Sequence, residues 1–166
     1  MKKTKAKTSK TISENISFKE ATFSNTAKRL KIKNEPLETH LTNMKTVAEK
    51  CFQPLREWAE HPIRVNSFYR CAELNTAIRG SINSQHCKGQ AIDISSLGEK
   101  SNRELFEWIK ENCDFDQMIW EFGGDPNLEN TNPKWIHISY VNKKSNRNRI
   151  LRAKSKGSSV TYYVMK

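Results

Sequence analysis

The sequence predicts an α+β fold: a single domain with one antiparallel sheet carrying the site, covered by helices from its N-terminal side. Two observations lead there. A length of 166 residues suits one domain. Helical apolar periodicity dominates before residue 60, and short alternating segments dominate after it. There are no internal repeats.

Taken in order, residues 1–15 are rich in Lys, Thr and Ser without apolar periodicity and read as a basic disordered arm. Ser17-Phe18-Lys19-Glu20 is a capping box that opens a short helix. Ser24 caps a second, from Asn25 to Leu30. Asn34-Glu35-Pro36 breaks the chain, and Pro36 suits a first helical position. From Leu37 to Glu60, Leu37, Leu41, Met44, Val47, Ala48, Cys51, Phe52, Leu55 and Trp58 form one wide apolar face. Pro54 should kink or restart that helix.

Ile63 to Phe68 alternates as a strand, Ala72 to Ile78 is a short helix, and Gly80 to Gln85 is a loop delivering His86. Gln90 to Ile94 is a strand. Ser101-Asn102-Arg103-Glu104 starts a helix through about Glu111, with Leu105, Trp108 and Ile109 on its apolar face. Asp116 to Phe122 and Trp135 to Val141 are strands. Their connection, Gly123 to Lys134, has two Gly, two Pro and three Asn, and is expected to border the site. Arg149 to Ala153 and Val160 to Met165 read as a hairpin around Gly157. The organisation is therefore an arm (1–15), a domain (16–141) and a basic C-terminal extension (142–166).

Composition narrows the classes. Hydrophobic residues make up 36% of the chain, and no apolar run approaches the ~18 residues that span a bilayer. Met1 to Lys10 is basic with no apolar stretch behind it, so it does not read as a secretory signal. Synthesis in the cytoplasm, with release by another route, is the expectation. The net charge of +11 sits at the ends. Residues 1–10 hold five Lys and residues 142–166 hold eight Lys or Arg, with no acid in either. The middle has 16 basic against 18 acidic residues. Such ends attract polyanions, or serve only as solvated tails. Nucleic acid is disfavoured, because aromatics and Arg are not interleaved and the near-neutral middle lacks a basic stripe. Cys51, Cys71, Cys87 and Cys113 form no CxxC pair and read as free thiols.

One stretch carries chemistry. Ser84-Gln85-His86-Cys87-Lys88-Gly89-Gln90-Ala91-Ile92-Asp93 sets an imidazole and a carboxylate seven residues apart across a turn and a strand. Trp135-Ile136-His137-Ile138-Ser139-Tyr140 reads as a strand with His137 in its middle. Two imidazoles and one carboxylate are a catalytic zinc ligand set with a fourth position open. A strand histidine is more often simply half-buried, and the spacing alone leaves both readings open.

Ser84-x-His86-x-x-Gly89-x-Ala91-x-Asp93 followed by Trp135-x-His137 resembles the signature of the zinc D-alanyl-D-alanine carboxypeptidase family. That family includes phage endolysin peptidases and vancomycin-resistance dipeptidases. Ser67-Phe68-Tyr69-Arg70 with Glu73-Leu74-Asn75 is similar to a further family stretch, and Asp116 to Glu121 to the strand before the last ligand. The resemblance runs from about Phe18 to Tyr140. It implies a fold shared with hedgehog-type signalling domains, and zinc on His86, Asp93 and His137. It also implies Arg70 as an electrophilic or substrate-anchoring group. Ser84 would bind substrate or hold its loop, and Gln117 and Ser139 would support ligands. Trp135 and Tyr140 read as core or groove walls.

Many relatives place an acid three residues before the last His, where this chain has Lys134. Glu121 is the substitute general base, at the end of the preceding strand and in a D-Q-x-x-x-E-F pattern shared by one branch. Asp125 and Glu129 are reserves. The implied substrate is a peptidoglycan stem peptide or cross-link containing D-residues. The implied setting is a phage-type lytic enzyme, released to the cell wall or carried on the virion, with basic ends on an anionic wall polymer. The competing reading is an inactive zinc-containing binding or virion structural protein, kept alive by Lys134.

Overall fold

The computed structural model describes residues 11–157 and 159–165. The described residues open on a small antiparallel pair, β1 (Thr11–Ser13) and β2 (Ile16–Ser17). The expected arm is therefore too long at its C-terminal end: Ile12 and Ile16 are buried in the main core, and apolar burial orders this stretch. Residues 1–10 lie outside the described residues.

Helix α1 (Phe18–Ala21) is capped by Ser17, whose hydroxyl accepts the Glu20 amide at 3.1 Å. Helix α2 (Asn25–Leu30) is capped the same way by Ser24. Helix α3 (Glu38–Val47) starts two residues later than Pro36 suggested. Leu37 is the extended cap, and its N–H donates to His40 Nδ1 at 3.4 Å. A π turn (Ala48–Phe52) follows, closed by the Gln53 amide on the Ala48 carbonyl, and α4 (Gln53–Ala59) resumes. The widened turn sits just before Pro54, which has no N–H to continue the ladder.

The main sheet has the order β3-β4-β6-β5-β7-β8. Its strands are β3 (Ile63–Ser67), β4 (Ala91–Ser96), β5 (Gln117–Glu121), β6 (Trp135–Ser139), β7 (Arg149–Lys156) and β8 (Ser159–Val164). All ladders are antiparallel except β5–β7, which is parallel. The C-terminal hairpin is thus β7–β8, built onto the sheet rather than appended to it. Helix α5 (Ala72–Ala77) follows β3, and α6 (Asn102–Asn112) follows β4. Ser101 and Glu104 form a full capping box at α6.

Side chains alternate between the two faces of a strand. On one face Ile92, Ile94, Met118, Trp120, Ile136 and Ile138 are fully buried in one core cluster with Met44, Val47, Phe52, Leu55, Leu105, Phe106 and Ile109. Each such side chain contributes roughly 1.5–3 kcal/mol by leaving water. The other face carries Asp93, Gln117, Ile119, Glu121, His137 and Ser139, brought into line by the β4–β6 and β5–β6 registers.

The long β5–β6 connection folds toward the helix face. The Arg103 guanidinium lies over the Trp120 ring and donates to the carbonyls of Pro126, Leu128 and Thr131. Asp125 pairs with Arg152 at 2.7 Å, and Arg152 is opposite Trp120 in register. Three of the loop's carbonyls are thus claimed by α6, while its two ends adjoin Glu121 and Trp135. Among the described residues, no helix is long and apolar enough to cross a membrane.

Candidate metal centre

His86, Asp93 and His137 are buried, and one donor atom of each lies within 4.8 Å of the others. Asp93 and His137 are direct register partners on β4 and β6. Asp93 Oδ1 is 2.9 Å from His137 Nδ1, and Asp93 Oδ2 is 3.3 Å from His86 Nε2. His86 Nε2 is 3.2 Å from His137 Nδ1.

His86 arrives on a single 3-10 turn (Gln85–Lys88), delivered by the loop that begins at Gly80. Gly89 ends that turn with φ +68°, and a Cβ there would meet the His40 carbonyl oxygen at 2.4 Å. Glycine is required on both counts. It lets the ligand turn lie against the backbone of α3.

The tautomer of His86 is set by its surroundings. Its Nδ1 is 2.6 Å from the Phe68 carbonyl, which can only accept, so Nδ1 carries the proton and Nε2 offers a lone pair. Burial lowers the His86 pKa, against the pull of Asp93, and the ring is neutral. Burial opposes ionisation of Asp93, but a proton on the facing His86 or His137 nitrogen outweighs it and holds the carboxyl well below the usual range. A neutral imidazole lone pair, an ionised carboxylate and a second imidazole converging on one point fit a zinc ion.

Glu121 ends β5 on the same face, 7% exposed. Burial pushes its carboxyl up to about 7; Asp93 also raises it, while His137 and Arg70 lower it. The two reserve acids are elsewhere. Asp125 is engaged with Arg152 and the Asn127 amide, and Glu129 is exposed on the loop. Lys134 is exposed, and its backbone N–H donates to the Glu121 carbonyl at 2.9 Å. That bond closes the strand end from which Glu121 projects.

Arg70 follows β3, and its amide donates to the His86 carbonyl. Its guanidinium has no ion-pair partner among the described residues, and its Nε is buried without a hydrogen bond. It borders a cleft of about 250 Å³ that also takes in Phe23, Asn66, Ser67, Tyr69 and Ile78. An unpaired guanidinium beside an open cleft suits an anionic or carbonyl group. Ser84 is half-buried at the start of the ligand turn, where its carbonyl accepts the Cys87 amide.

Among the described residues, no hydrogen bond joins the Gln117 or Ser139 side chain to the three donors, where a supporting role was expected. The Ser139 hydroxyl accepts from the Gln117 amide and donates to its carbonyl, bracing β5 against β6. Tyr140 is core, and the Trp135 ring packs on Phe122. The four cysteines are free, and burial raises the Cys51, Cys87 and Cys113 thiols, the last to about 11.

Two supports were missed in the sequence. Asn34 donates to the Tyr69 and Thr22 carbonyls and accepts the Cys71 amide, clamping the segment that carries Arg70. Asp116 accepts from Gln85 at 2.9 Å and from Arg147 at 2.8 and 2.5 Å, tying the His86 turn to the C-terminal segment. Both were polar residues in segments read only as a break and a strand. Their signal is tertiary, because the partners lie 12 to 37 residues away.

A family model described as Peptidase M15 matches residues 14–139. No curated protein matches the chain.

Proposed function

We propose that this chain, which belongs to the peptidase M15 family, hydrolyses peptide bonds in peptidoglycan stem peptides or their cross-links. The observation that carries the reading is the placement of Glu121, a buried acid, on the same sheet face as the His86, Asp93 and His137 donors. The family is one of peptidases, and the three donors suit the zinc on which its members depend.

His86 Nε2, an Asp93 carboxylate oxygen and His137 Nδ1 would hold the metal. When bound, zinc acidifies a water molecule and polarises a carbonyl. Glu121, with its carboxyl near neutrality, is poised to take a proton from water and return it to the departing amine. Arg70 anchors the substrate's carboxylate or the charge growing on its carbonyl oxygen. Ser84 hydrogen-bonds substrate at the mouth of the ligand turn.

The substrate's D-residues, a phage-type lytic role at the cell wall, and retention on an anionic wall polymer by the basic ends follow from the resemblance of the motifs. The test is a digest of purified peptidoglycan, with and without chelator, read by mass spectrometry of released peptides. New peptide ends that vanish with chelator and return with zinc are expected. Intact peptidoglycan from a protein that binds one zinc would overturn the reading in favour of a binding protein.

A further inference from the structure

Strand β8 lies beyond the matched residues 14–139, yet register brings one of its side chains to the metal face. Glu121 pairs with Ala153 of β7, and Ala153 pairs with Tyr162 of β8. Residues in register share a face, so Tyr162 stands on the same side as Glu121 and His137. Two strand spacings put its Cα roughly 10 Å from that of Glu121. Only the methyl group of Ala153 intervenes in that row.

Two further facts mark the residue. Among the described residues its hydroxyl has no hydrogen-bond partner, although the ring is half-covered. The phenol also feels the charges of Glu121, Asp93 and Arg70, which come from three other segments of the site. Burial and the two carboxylates hold the hydroxyl protonated, against Arg70, so it is available as a donor at neutral pH. Tyr163, its neighbour, is equally exposed but faces the other way, with Lys154 over its ring.

We propose that Tyr162 touches substrate, its hydroxyl donating a hydrogen bond to a main-chain carbonyl of the peptide on the Glu121 side of the metal. The C-terminal hairpin would then complete the substrate site rather than only extend the sheet. This rests on the peptidase reading given above.

The test compares Y162F with Y163F in the full-length zinc protein. Y162F is expected to lower kcat/KM about tenfold, the effect of losing one hydrogen bond, with zinc content and thermal midpoint unchanged. Y163F is expected to match wild type. A non-hydrolysed phosphinate peptide, titrated calorimetrically, should bind Y162F about tenfold more weakly and Y163F normally. Y162F within twofold of wild type in both assays would overturn the role of Tyr162 alone. Wild-type protein that binds the phosphinate but does not cleave would overturn the peptidase reading, and the calorimetric comparison would still decide Tyr162. Wild-type protein that does neither would overturn both.

Discussion

Asp93 and His137 are 44 residues apart in the chain and directly opposite each other across the β4–β6 ladder, Oδ1 to Nδ1 at 2.9 Å. The ladder does the positioning. A slip of one residue would turn His137 into the apolar core and Ile136 or Ile138 out.

That pairing sets the first expectation. His137→Ala leaves two protein donors and should remove most bound zinc, measured as metal per chain after dialysis. The side chain lies on the sheet face away from the apolar core, so the fold should survive, with a near-native circular dichroism spectrum. Full stoichiometry would show that another residue holds the third position.

Glu121→Gln keeps shape and burial but removes the carboxylate. It should retain zinc and lower turnover by about 10²-fold or more. Steady-state kinetics on a peptidoglycan-derived peptide would read this. Turnover near wild type would shift the role of base away from Glu121.

The same variant tests the burial of that carboxyl by its pH dependence. The folded pKa of Glu121 is about 7, above the ordinary glutamate value of 4.5. A raised folded value means that the stabilising contribution is fully present below the unfolded pKa and is lost as pH rises through the folded one. Between pH 4.5 and 7 the metal-free wild type should therefore lose about 3 kcal/mol relative to Glu121→Gln. Denaturant unfolding in chelator at several pH values measures it, and parallel profiles would refute the burial effect.

Asp116 works in the opposite sense. Burial opposes its ionisation, but Arg147 and Gln85 outweigh it and hold its carboxyl below the usual range. Its stabilisation is present above the unfolded pKa and is lost as pH falls through the folded value. Asp116→Asn should cost about 1–3 kcal/mol at neutral pH, modest because Arg147 is half exposed. The deficit should shrink in acid, as read by denaturation midpoints.

Arg103→Ala should free the loop between Gly123 and Lys134 by removing the donor to three of its carbonyls. Limited proteolysis should then cut within the loop several-fold faster, while zinc content stays the same, because the three donors lie on other segments. Loss of zinc with the nick would place the loop closer to the ligands than Arg152 and Trp120 indicate.

Much of this was legible in the residues. The caps at Ser17, Ser24 and Ser101 are local hydrogen bonds between neighbours, so short spacing reveals them. The alternation of β4, β5 and β6 reflects one apolar and one polar face, which a period of two displays. Ordered motifs around His86, Asp93 and His137 put these three side chains forward as donors, and the fold brings them within reach of one another. Less legible were Ile12 and Ile16, too short an apolar pattern to outweigh the lysines around it, and the π turn, which a helical period does not distinguish.

What the sequence by itself determined is the set of local choices: where helices begin, which strand face is apolar, and which side chains have the chemistry to hold a metal. What only the tertiary structure decided is which of three acids stands with the ligands, where the long loop goes, and that β8 brings Tyr162 to the same face. Those outcomes depend on strand register and on hydrogen bonds between residues tens of positions apart. Such contacts form only when the whole sheet closes, and no local pattern encodes them.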